Sequence, residues 1–297
     1  MISCNAKPTM KEVAMTDSFE SSSSLPPEVL KHYASGYESQ RLLHGASQIE
    51  LVRTQELVTR YVPPPPAMIF DVGGGPGMYA CWLARQGYEV HLVDAHPLHV
   101  ELARQASQAQ PDAPLAGIEV GDARQLNRAD TSVDVMLLFG PLYHLTQHTD
   151  RLMALHEAHR ILRPGGLLFG AAISRFASVL DGLCQGLLDD PAFVQIVERD
   201  LMDGQHRNPM NHPAYFTTAF FHDPKELEAE IQESGFLYER TLPIEGPLWL
   251  FPDVAASFHD QRRREPFLRL VRRLEQEPSL LGASAHLLAI ARKEGQR

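Results

Sequence analysis

"IFDVGGGPGMYACWLARQGYEVHLVD", Ile69–Asp94, places four glycines between Gly73 and Gly77. Glycine loses more conformational freedom on folding than any other residue, so this cluster marks a turn that needs a bare backbone. Two apolar runs flank it. "AMIFDV" (Ala67–Val72) and "YEVHLVD" (Tyr88–Asp94) read as buried strands, and residues 77–86 between them as a helix. The alternation continues with a helix over 97–108, strands at Ile118–Asp122 and Val133–Phe139, a helix over 150–162 and a strand at Gly165–Ile173. Apolar strands separated by amphipathic helices imply a mostly parallel sheet covered on both faces, a doubly wound α/β fold.

Around this core (67–173) the organisation reads in four parts. Residues 1–24, polar and with four consecutive serines at Ser21–Ser24, form a disordered tail. Residues 25–66 form a helical cap that ends in the prolines Pro63–Pro66. Residues 174–214 break the rhythm as a helical insertion, read as a lid over the ligand edge of the sheet. The rest, 215–297, returns to the core with a helix over 223–234 closed by Gly235, a strand near Phe236–Ile244, more helix to about Gln276, and an antiparallel final strand at Ala285–Lys293.

Of the 297 residues, 44% are hydrophobic and 22% charged, and the formal net charge is −10. That balance gives no basic groove for a nucleic-acid backbone. Cys4, Cys81 and Cys184 are widely spaced, which suits a reducing compartment and supplies no zinc framework. No run approaches a signal-peptide core or a membrane span, so the expectation is a cytoplasmic protein with neither membrane nor nucleic acid as partner.

In an open α/β sheet the ligand sits beyond the carboxyl ends of the strands, which is where the glycine turn falls. The dinucleotide fingerprint G-x-G-x-x-G fails, because counting from Gly73 its sixth position is Met78. A P-loop fails too, since Met78-Tyr79 stands where Lys-Ser or Lys-Thr belongs. What remains is Asp71-x-Gly73-x-Gly75-x-Gly77.

With this motif the chain resembles the class I S-adenosylmethionine-dependent methyltransferases. Asp94 ends the second strand, "GDA" (Gly121–Ala123) follows the third, and "EAHRILRPGG" (Glu157–Gly166) leads into the fifth, each in family order. The resemblance implies S-adenosylmethionine as cofactor. Gly73, Gly75 and Gly77 would shape the turn, Asp71 would bring charge near the ammonium, and Asp94 with Ala95 would meet the ribose. Asp122 with Ala123 would meet the adenine amino group. Phe139 and Gly140 would border the transferred methyl. Tyr33, Tyr37 and Arg41 lie at four-residue spacing and could share a helical face over the cofactor, with Arg41 toward its carboxylate.

The stretch after the fourth strand, "FGPLYHL" (Phe139–Leu145), lacks the Asn or Asp of base- and amide-modifying relatives, and looks like the small-molecule branches, ubiquinone and menaquinone C-methyltransferases among them. Methyl transfer needs chiefly alignment and exclusion of water. His144 is the candidate base, with loop-shaping as its alternative; Tyr143 is the candidate to stack on the acceptor. Candidate acceptor contacts are Tyr37, Arg175, Phe176, Tyr215, Phe216 and Trp249. "HEAH" (His156–His159) is one residue short of a zinc motif, and His91, His96 and His99 show no convergent spacing, so no metal is assigned. Two rival readings are a cofactor-binding protein without turnover and a nicotinamide-dependent oxidoreductase.

Overall fold

The computed structural model describes residues 26–34, 41–45, 47–210, 212, 214–251 and 254–295. The expected N-terminal tail and Tyr37 lie outside the described residues. Two helices, α1 (Pro27–Tyr33) and α2 (Ser47–Tyr61), precede the sheet. Then β1 (Met68–Val72), α3 (Met78–Ala84), β2 (Glu89–Asp94), α4 (Pro97–Gln108) and β3 (Gly117–Val120) follow in turn. The second half of the core runs through β4 (Val133–Leu138), the single turn α5 (Pro141–His144), α6 (His148–Ile161) and β5 (Leu162–Ser174).

Successive strand residues point to opposite faces, and here both faces are dry. Ile69, Leu92, Leu137, Phe169 and Ile290 pack into one core, while Phe70, Val93, Met136, Leu168 and Ala289 pack into the other. This is why the strands read as continuous apolar runs. The parallel order is β3-β2-β1-β4-β5.

Beyond β5 come α7 (Ala177–Gln185), α8 (Pro191–Asp203), β6 (Gln205–His206), β7 (Ala219–His222) and α9 (Pro224–Glu233). The chain closes with β8 (Leu237–Pro243), α10 (Val254–His259), α11 (Gln261–Leu274) and β9 (His286–Arg292). As expected, β9 runs antiparallel, pairing β5 on one side and β8 on the other. The sequence reading has no counterpart for β7. This four-residue strand pairs β5 only at Ile173 and Ser174, too short a segment to show a period.

Two buried arginines fix the parts that carry the site. Arg53 on α2 is fully buried. It donates to the Ile244 carbonyl at 3.1 Å and to Glu275 at 2.6 Å, and meets Glu56 at 2.9 Å, which pins α2 across the ends of β8 and α11. Arg151 on α6 donates to the Leu145 and Thr146 carbonyls and to both oxygens of Glu230, with its guanidinium 3.6 Å from the Phe220 ring centre. The loop after β4 is thereby fastened to α9. Burial works against the Glu230 charge, but His222 and Arg151 hold its carboxyl down at about 2.

Candidate active site

At the carboxyl ends of β1, β2 and β4 lies a cavity walled by Gly73–Pro76, Met78, Tyr79, Asp94–His96, His99, Gly121–Ala123, Phe139–Pro141 and Tyr143–Leu145. Its remaining wall comes from Tyr33, Arg41, Leu42, Glu50 and Thr54 on the N-terminal side, and from Ala171, Ile244 and His286.

The turn's amides are spent inward. Gly73 N donates to the Val93 carbonyl at 2.7 Å, as does Gly74 N at 3.3 Å; Gly75 N donates to Asp94 Oδ2 at 2.8 Å and Gly77 N to the Gly74 carbonyl at 3.0 Å. Pro76 has no amide hydrogen. None of the four glycine amides of the bend is left to wrap a phosphate, which binds through free backbone N–H groups. The glycines also do different jobs. At Gly73 (φ +77°) a Cβ would stand 2.5 Å from Pro141 Cδ and 3.0 Å from the Phe139 carbonyl oxygen, so the β1 and β4 loops touch there. At Gly75 (φ +55°) a Cβ would meet no protein atom within 4 Å. That space suits a cofactor's amino-acid end approaching bare backbone.

Asp94 organises the next part of the wall. It accepts from His96 N at 2.8 Å, and its Oδ1 lies 3.2 Å from His99 Nδ1. Burial opposes its charge, but the bonds from His99, His96 and Gly75 keep its carboxyl below the usual range. The ring centres of His96 and His99 are 5.0 Å apart, and Tyr33 stands edge-on to both. Only the His99 ring meets the carboxylate; the His96 imidazole accepts from Leu98 N and bonds the Leu30 carbonyl instead. Asp122 is forked by Arg124 at 2.6–3.2 Å.

His144 lies with Nε2 2.5 Å from the Tyr33 hydroxyl. Burial, partly offset by Asp94, pushes its imidazole down to about 4. A neutral, weakly basic ring whose Nε2 is engaged by Tyr33, with Nδ1 buried and without a hydrogen-bond partner among the described residues, fits the loop-shaping reading better than the general-base one. The Tyr143 hydroxyl lies 3.9 Å from where a Gly140 Cβ would be, at the crossing of the two loops.

The far wall carries an ion-pair chain absent from the sequence reading. Arg41 forks onto Glu50 at 2.5 and 3.0 Å. His286 Nδ1 lies 2.6 Å from Glu245 Oε1 and 3.9 Å from Glu50. Ser284 Oγ and His286 N donate to the other Glu245 oxygen. Burial disfavours the imidazolium, but Glu50 and Glu245 raise it to about 9. Glu50, Glu245 and His286 offer ligand atoms within 4.8 Å of one another. Every carboxylate oxygen among them is already paired, so the set works as a charge chain.

Other sequence candidates fall elsewhere. Asp71 is fully buried beneath the turn and off the cavity wall; burial, then repulsion from Asp94, raises its carboxyl to about 7, so the expected charge beside an ammonium is not where the structure puts it. Gly77 caps α3 at φ +88°, with a would-be Cβ 3.3 Å from that of Ala103; it serves helix packing. Among the described residues none of 174–220 lines the cavity, so the expected lid does not roof it. Arg175 pairs with Glu226 and donates to the Phe221 carbonyl. Phe176 packs near Gly282, and Tyr215 bonds Asp190 between α8 and its loop. Phe216 backs His144 at 6.3 Å, and Trp249 donates to the Ala283 carbonyl. Aromatics there hold segments together.

A family model described as a methyltransferase domain matches residues 70–170. The ubiquinone/menaquinone biosynthesis C-methyltransferase UbiE of Acidiphilium cryptum is 29% identical over 184 residues, spanning 61% of this chain and 71% of that protein. The ubiquinone biosynthesis O-methyltransferase of Xanthomonas campestris pv. campestris is 27% identical over 67% of this chain and 77% of its own length. In fold, the chain matches a SAM-dependent methyltransferase from Methanosarcina mazei with a TM-score of 0.55 at 19% identity, over 81% of this chain and 98% of that one. Residues 70–170 match a methyltransferase domain, and together with the curated relatives this supports a class I S-adenosylmethionine-dependent methyltransferase. The matched methyltransferase domain supports S-adenosylmethionine as the cofactor. Among the described residues no helix is long and apolar enough to cross a membrane.

Proposed function

We propose that this enzyme methylates a small organic acceptor by in-line displacement inside the cavity above β1 and β4. When bound, S-adenosylmethionine supplies a methyl group activated by its sulfonium. The chain's own residues do the rest. Gly75 opens room for the amino-acid end, Gly73 lets the β1 and β4 loops meet beside it, Asp94 and Ala95 hold the ribose, and Asp122 and Ala123 border the adenine. His99 and the amides of His96 and Gly75 keep Asp94 charged and aimed. Phe139, Gly140 and Tyr143 line the reacting end, while α1 and α2 exclude water from above. A small acceptor is supported by a cavity walled by Tyr79, Phe139, Ala171 and Ile244, and by the formal net charge of −10.

The inward use of the turn's amides is the observation that carries this reading. Calorimetric titration with S-adenosylhomocysteine tests it: Asp94→Ala should weaken binding by about 1–3 kcal/mol, the range for a lost hydrogen bond to a charged group. Unchanged affinity would remove its main support.

A further inference from the structure

The cofactor groups lie at β1, β2 and β3, so the acceptor end of the cavity falls toward β5 and β9. Ala171 of β5 and His286, the first residue of β9, both face it. Glu245 turns the imidazole by binding Nδ1 at 2.6 Å. The opposite nitrogen, Nε2, has no hydrogen-bond partner among the described residues and is not a buried atom. The residue itself lines the cavity. The carboxylates around it are already used: Arg41 holds Glu50, while Ser284 Oγ and His286 N hold Glu245. A donor thus stands unpaired beside the apolar wall of Tyr79, Phe139, Ala171 and Ile244.

We propose that His286 anchors the acceptor by donating from Nε2 to an ionised oxygen, with Glu245 as its positioning residue, so that the acceptor is a small planar acid: a carboxylate or a similarly acidic phenol or enol. This rests on the methyl-transfer reading and adds the acceptor's chemical class. The charges facing the ring are Arg41, Glu50 and Glu245; they balance in pairs, and the raised proton affinity of His286 keeps the donor charged at neutral pH. The flat apolar wall selects the ring, and the imidazolium selects the charge.

Benzoate and its neutral isostere benzamide are the probes, titrated into the protein saturated with S-adenosylhomocysteine. Benzoate should bind about tenfold or more tighter than benzamide, the factor for one charge-assisted bond. His286→Gln, which keeps a neutral donor, should erase that preference and leave S-adenosylhomocysteine affinity unchanged. In 15N-histidine-labelled wild-type protein the His286 Nε2 resonance should move with benzoate and stay still with benzamide, a readout that does not depend on the variant folding. No benzoate binding, no preference over benzamide, a preference surviving His286→Gln, or a stationary resonance would each overturn the proposal. Failure of S-adenosylhomocysteine to bind would instead overturn the cofactor-site reading, and the probes can then be titrated into the free protein.

Discussion

Two alanine substitutions two residues apart should fail in different ways. Both Gly73 and Gly75 have left-handed backbone, so alanine at either costs about 1–2 kcal/mol. At Gly73 the added methyl also strikes Pro141 Cδ at 2.5 Å and the Phe139 carbonyl oxygen at 3.0 Å, both parts of a loop that Arg151 holds fast. Overpacking of this kind adds about 1–3 kcal/mol, giving roughly 2–5 kcal/mol for Gly73→Ala. At Gly75 the methyl meets no protein atom and enters the cavity instead. Urea melts and S-adenosylhomocysteine titrations on both variants separate the terms. Gly75→Ala should lose little stability beyond the backbone cost, while its affinity falls about tenfold or more, the equivalent of 1.4 kcal/mol. The reasoning is refuted if Gly75→Ala binds like the wild type, or if the two variants are equally destabilised.

Three further outcomes follow from the charge arrangement. His286, raised to about 9 from an ordinary 6.5, contributes stability that is complete below about pH 6.5 and lost as pH rises through 9. Melting temperature should therefore fall across that interval in the wild type and not in His286→Gln, with an upper limit of about 3 kcal/mol. Arg151→Met leaves Glu230 buried with His222 at 3.2 Å and the exposed His148 at 4.0 Å as its remaining partners, and urea denaturation should report a loss of about 3–5 kcal/mol. Because the His144 ring stays neutral down to about pH 4, the pH–rate profile should show no limb near 6.5 attributable to it, and His144→Gln should keep the wild-type profile between pH 6 and 8.

The cofactor half of the site was legible because it is local. Gly73, Gly75, Asp94 and Asp122 each sit at the end of a strand whose apolar run is unmistakable, and turn chemistry is written in adjacent residues. The strands of the sheet were legible for the same reason, except β6, which has two residues, and β7, which pairs β5 through two residues. The acceptor end was not. Glu50 and Thr54 read as ordinary residues of an amphipathic helix until Arg53 clamps that helix over the cavity. Ile244 and His286 come from a strand end and a strand start 42 positions apart in sequence. The Arg175–Phe220 aromatics drew attention by composition, but Tyr215 and Arg175 are occupied in joining segments. The histidine spacing did not show that the His99 ring meets Asp94, a contact that needs the β2–α4 bend to exist.

The most direct test of the account is a calorimetric titration of the wild-type protein with S-adenosylhomocysteine, run with and without excess inorganic pyrophosphate. If the bend after β1 holds an amino-acid tail and has no spare amides for phosphoryl oxygens, the two binding curves coincide. Competition by pyrophosphate would contradict it.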